Sequence, residues 1–210
     1  MSRYCEILHK QLSNLQRYSF PFDKNPIPKN GIYILFEKGE TGHGVDRIVR
    51  IGTHTGDNQL VSRLKQHFIK ENKDRSIFRK NIGRSILNKN KDNYLERWEW
   101  DLTSRKNREK YMHLVDLEYQ MSIEKKVSKY IRENFSFAVI SIENKDSRLN
   151  IESKLISEVS NCSKCISSSN WLGNYSPKNK IRQSGLWLVN ELYKDGFSKT
   201  EFEKFLKLIN

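Results

Sequence analysis

The chain has 210 residues, with 38 lysines and arginines against 25 aspartates and glutamates, a formal net charge of +13 and 36% hydrophobic residues. That length allows one domain with a real core and little room for a second, while the charge attracts polyanions, nucleic acid first among them, unless its lysines merely solvate the surface. No apolar run approaches the ~20 residues of a membrane-spanning helix, and Met1-Ser2-Arg3-Tyr4-Cys5-Glu6 lacks a signal peptide's apolar core, so a cytoplasmic protein without membrane contact is expected.

Leu8, Leu12 and Leu15 predict an amphipathic helix over 2–17. A loop carrying Pro21, Pro26 and Pro28 ends it, since closely spaced prolines cannot continue a helix. The run Gly31-Ile32-Tyr33-Ile34-Leu35-Phe36, the glycine-rich stretch Gly39-Glu40-Thr41-Gly42-His43-Gly44 and the run Ile48-Val49-Arg50-Ile51-Gly52 predict a β-hairpin. Asp57 or Asn58 offers an N-cap for a helix over 59–70, with Leu60, Leu64 and Phe68 on one stripe. Arg63 and His67, four apart, project together from the edge of that stripe.

A second helix is predicted over 76–88, with Arg75, Arg79, Lys80 and Arg84 interleaved among Ile77, Phe78, Ile82 and Ile86. Its cations suit a phosphate-tracking surface or, with equal weight, a solvated basic face. Trp98 and Trp100 alternate with charges and suggest a short strand; residues 104–133 carry helical spacing for one or two helices. The run Phe135-Ser136-Phe137-Ala138-Val139-Ile140-Ser141-Ile142 suits a buried central strand paired with the hairpin.

A helix over 148–160, capped by Asp146 or Ser147, buries Leu149, Leu155, Ile156 and Val159. Glu152 falls on the same side, and an unpaired carboxylate inside an apolar stripe costs several kcal/mol, so a metal ion or an arginine is its natural partner. Ser198 and Glu201 have capping-box spacing ahead of a last helix. The three cysteines, Cys5, Cys162 and Cys165, are an odd number suited to a reducing compartment rather than to a disulfide framework. Cys162-Ser163-Lys164-Cys165 is a lone pair of thiols without the further ligands that a structural zinc site needs.

Gly31-Ile32-Tyr33, the Arg50-Ile51-Gly52 strand, the helix with Arg63 and His67 and the later helix with Glu152 together resemble the GIY-YIG nuclease family. The likeness spans roughly residues 31–175, with helical extensions at both ends of one domain over 1–210, and the Arg63-x-x-x-His67 spacing is similar to that of its restriction-enzyme branch. Segments 170–173 and 184–187 resemble a set found in bacterial members. The resemblance implies an α/β (α+β) fold with a small antiparallel three-stranded sheet flanked by helices, and a metal-dependent endonuclease acting on double-stranded DNA, of restriction or defence type. A homodimer would cut both strands.

Within that resemblance Glu152 would hold one Mg²⁺ or Mn²⁺, Tyr33 would face the attacking water, and Arg63 would clamp phosphoryl oxygens. His67 would move a proton or bind phosphate, and Asn170, ahead of Asn174, would help shape the site. Arg50, His54, Arg79, Lys80 and Arg84 would contact nucleic acid, and His43 lies in a loop where it touches DNA or nothing. Arg50 stands where the second motif has its first tyrosine, and the connection from Tyr33 to Arg50 is longer than the family's. A DNA-repair nicking enzyme, or a noncatalytic nucleic-acid-binding protein that keeps the fold, is the alternative.

Overall fold

The structure, a computed structural model, describes residues 2–209. One antiparallel sheet has the order β1-β4-β2-β3, from β1 (Tyr18–Ser19), β2 (Gly31–Gly42), β3 (Val45–Gly52) and β4 (Phe135–Ser141). The expected hairpin and central strand are both present, but the sheet has four strands instead of three. The extra one is a two-residue segment pairing Tyr18 with Phe137 and Ser19 with Ser136, too short for its side-chain alternation to register in the sequence.

The β2–β3 turn is tighter than the glycine-rich stretch suggests. Gly42 pairs with Val45, leaving only His43 (φ 53°) and Gly44 (φ 79°) between the strands. Two consecutive left-handed residues match the twist of the flanking strands. Gly39, at φ 85°, lies instead where the β2–β3 register shifts between Phe36 and Thr41.

Alternation along the strands sends side chains to opposite faces, and each face is covered by helices. Ile32, Ile34, Phe36 and Ile140 pack with α1 (Ser2–Ser13), α7 (Lys145–Ser160) and α9 (Lys199–Ile209). Tyr33, Leu35, Val49 and Phe137 pack with α2 (Leu60–Phe68), α3 (Ile77–Lys89) and α6 (Leu117–Asn134). The 104–133 region resolves into α5 (Arg105–Tyr111) and α6, the latter capped by Asp116. Helix α7 starts earlier than expected, with Asn144 accepting the Ser147 N–H at 2.9 Å. The predicted box at α9 forms, Ser198 N–H donating to Glu201 and Glu201 N–H to Ser198.

Trp98 belongs to a short helix, α4 (Leu95–Glu99), rather than to a strand. Its indole N–H donates to the Lys80 carbonyl at 3.0 Å, and its ring lies over Gly83 of α3, where any β-carbon would collide with it. Tertiary docking onto α3 overrides the alternating pattern. Helix α8 (Asn179–Ser184) precedes the Gly185–Asn190 segment. Among the described residues no helix is long and apolar enough to cross a membrane.

Candidate active site

Strand register builds the inner part of the site. Tyr33 pairs with Gly52 and Leu35 with Arg50, which puts the Tyr33 and Arg50 side chains on one face of the hairpin. A β-carbon at Gly52 would lie 2.2 Å from the Tyr33 hydroxyl, so the glycine of the second motif makes room for the tyrosine of the first.

Tyr33 is 1% exposed, and its hydroxyl lies 2.9 Å from His67 Nε2 and 3.4 Å from Arg50 Nε, which donates to it. His67, on the buried side of α2, is fully enclosed, and its Nδ1 lies 2.7 Å from Ser76 Oγ. Burial first, then the nearby cations Arg50, Arg63 and Arg79, push His67 well below the usual imidazole range. The ring is therefore neutral. With the Tyr33 O–H donating to Nε2, its own proton sits on Nδ1 toward Ser76. Arg50 also donates to the Trp187 carbonyl, which anchors the guanidinium between the hairpin and the Gly185–Asn190 segment.

Arg50, Arg63 and Glu152 meet in a cleft of about 430 Å³, lined also by Asn81, Asn190 and Glu191. Glu152 reaches it from α7. Its Oε1 accepts the Thr53 N–H at 3.0 Å just beyond β3, and among the described residues it makes no ion pair with Arg50 or Arg63. Burial raises its pKa, and Arg50 and the Thr53 N–H only partly oppose that. Arg63 is steadied by Gln66 Oε1 (3.0 Å) and the Arg75 carbonyl (3.2 Å) and borders a second polar cleft with Thr53, His54 and Thr55. A larger cavity of about 600 Å³ lies at Arg3, Glu158 and Phe197, but Glu158 there is already engaged by the Phe197 N–H.

Of the residues expected at the site, Arg50, Arg63 and Glu152 share the cleft, while Tyr33 and His67 lie buried behind Arg50. Asn170 is exposed beside Trp171 and does not line the cleft. The Trp171 indole N–H donates to the buried Glu37 at 2.7 Å and fixes that loop further along β2. Asn174 is taken up by the Ser168 and Ser169 carbonyls. The asparagines that do line the cleft are Asn81 and Asn190. Asn81 had a legible signal, an uncharged amide one turn from Phe78 and beside Ile82; Asn190 only follows an apolar run.

The expected nucleic-acid contacts at Arg79, Lys80, Arg84 and His54 are corrected. Arg79 is fully buried against Glu124 Oε2 at 2.6 Å and donates to the His67 carbonyl and Ser128. Lys80 donates to the Glu99 carbonyl, and Arg84 pairs with the Glu99 carboxylate. These three cations face α4 and α6 and form neither a phosphate-tracking nor a solvated basic face, while Arg75, the fourth cation of the pattern, is exposed ahead of α3; the pattern of one helix cannot disclose carboxylates arriving from others. His54 accepts the Gly31 N–H at Nε2 (3.3 Å) and lies 2.6 Å from the Gly56 carbonyl at Nδ1, leaving neither nitrogen free.

A family model described as the GIY-YIG domain matches residues 3–210. No curated protein and no solved structure matches the chain.

Proposed function

The chain belongs to the GIY-YIG domain family, and from that premise we propose that it is a divalent-metal-dependent endonuclease that hydrolyses phosphodiester bonds of DNA. The observation that carries the reading is Glu152, a carboxylate in a cleft lined by two arginines yet paired with neither. Hard cations take oxygen ligands of this kind, and a bound Mg²⁺ or Mn²⁺ supplies Lewis-acid stabilisation of charge on the phosphoryl group.

The chain's own residues divide the remaining work. Arg63 and Arg50 present planar multi-donor cations to the phosphodiester and to the negative charge that grows on it in the transition state. Glu152, its carboxylate positioned by the Thr53 N–H, would hold the metal ion. Tyr33, backed by the neutral His67, donates and accepts around Arg50 and sets the direction of its guanidinium. The Arg63–His67 spacing supports a restriction or defence setting over DNA-repair nicking. A noncatalytic nucleic-acid-binding role is favoured by one observation, Arg50 in the place of the motif tyrosine.

The test is conversion of supercoiled plasmid to nicked and linear forms with Mg²⁺ or Mn²⁺. Wild type should cut and Glu152→Gln should not. Binding without cutting by wild type under every metal would establish the noncatalytic reading.

A further inference from the structure

The three cysteines do not scatter. Cys5 and His9, one turn apart on α1, meet His43 from the β2–β3 turn and Cys165 from the loop after α7, with one donor atom of each within 4.8 Å of all the others. Cys5 Sγ lies 3.3 Å from Cys165 Sγ, and His9 Nε2 lies 3.7 Å from Cys165 Sγ. Zinc held tetrahedrally by sulfur and nitrogen at about 2.3 and 2.0 Å has ligand–ligand edges of roughly 3.3–3.8 Å. We propose that Cys5, His9, His43 and Cys165 hold one divalent ion of the zinc class, which fastens α1 and the loop after α7 to the hairpin turn.

Several features fit a metal better than a chance cluster of thiols. His43 occupies the left-handed region at φ 53°, in a turn position where asparagine or glycine sits more easily, and its ring reaches inward to within 5.2 Å of the His9 ring. His9 is completely enclosed, with Nδ1 2.9 Å from the Cys5 carbonyl. A carbonyl on one nitrogen is how a metal-bound imidazole is commonly oriented; Nε2, which accepts the Ile48 N–H at 3.2 Å, would exchange that contact for the ion. Thiolate and imidazole select zinc over magnesium, which separates this site chemically from Glu152. Cys162 stands at its rim, 3.4 Å from His43 Nε2. Of the thiol pair in the sequence, Cys165 thus gains partner ligands from residues more than a hundred positions away.

The test is the metal content of the full chain, purified without a histidine tag from zinc-supplemented cells. One zinc per chain is expected, falling below a tenth in Cys5→Ser/Cys165→Ser and in His43→Asn, which keeps the left-handed turn conformation accessible. Absence of zinc from wild type, undiminished zinc in the double variant, or a metal-free Cys5–Cys165 disulfide in the intact mass would overturn the proposal. Should the variants fail to fold, cobalt-loaded wild type decides. Thiolate-to-cobalt charge transfer with tetrahedral d–d bands is expected, and an octahedral oxygen-ligated spectrum refutes the site.

Discussion

The Tyr33 hydroxyl sits between His67 Nε2 at 2.9 Å and Arg50 Nε at 3.4 Å. A neutral acceptor and a fixed cation thus share one oxygen, and only the cation reaches the cleft where Glu152 and Arg63 lie. The hairpin therefore contributes to the site through Arg50, with Tyr33 behind it. Gly52 is what permits this: Gly52→Ala would press against the ring and should cost about 1–3 kcal/mol through overpacking.

Tyr33→Phe keeps the ring and removes only the hydroxyl. It should lower plasmid nicking about tenfold, consistent with the ~1–1.5 kcal/mol of one hydrogen bond. It should also act mainly through KM for DNA, because Arg50 loses its direction. A fall beyond about a thousandfold in kcat would mean instead that Tyr33 itself takes the proton of the attacking water, a general-base contribution typically of 10²–10⁴-fold.

Glu152→Gln separates metal binding from folding. The ionised Glu152 is disfavoured by its surroundings, so its folded pKa lies above its unfolded value. The destabilisation is then complete above the folded pKa and disappears as pH falls below the unfolded one. Without metal, Glu152→Gln should be at least as stable as wild type at pH 7. Added Mg²⁺ or Mn²⁺ should raise the wild-type Tm and leave the variant unchanged. Equal Tm shifts in both proteins would remove Glu152 from the metal.

His67 gives an acid-side signature. Its folded pKa is depressed below the usual 6.5, so the unfolded chain binds the extra proton first. The stability due to the neutral ring is full above about pH 6.5 and declines as pH falls through the window down to the folded pKa. His54, lowered chiefly by burial, acts in the same direction. Denaturation midpoints between pH 7 and pH 5 should fall less steeply in His67→Gln than in wild type.

Much of this arrangement is legible in the sequence because it depends on local periodicity. The hairpin, the α2 stripe with Arg63 at its edge and the intrusion of Glu152 into the apolar side of α7 all follow from spacing. What spacing cannot disclose is which cations meet carboxylates from distant segments. Arg63 and Arg79 look alike on paper, yet one lines a cleft and the other is sealed against Glu124. The same blindness hides Asn190, and it hides the gathering of Cys5, His9 and His43 around Cys165.

That contrast between arginines supports a last prediction. Arg79 is fully buried, and its guanidinium is shared among Glu124, Ser128 and the His67 carbonyl. Arg79→Met leaves Glu124 as an uncompensated buried charge and should destabilise the chain by about 3–5 kcal/mol. Restoring neutrality with Glu124→Gln in the same chain should recover part of that loss, since the pair, rather than either charge, is what the interior tolerates. Arg63→Ala should do the reverse, leaving the Tm nearly unchanged while weakening DNA binding and reducing its salt dependence by about one phosphate contact. Measured side by side by thermal melting and by binding at two salt concentrations, the variants should separate cleanly. An Arg79→Met protein that melts like wild type but binds DNA less well would return α3 to the nucleic-acid surface that its sequence suggests.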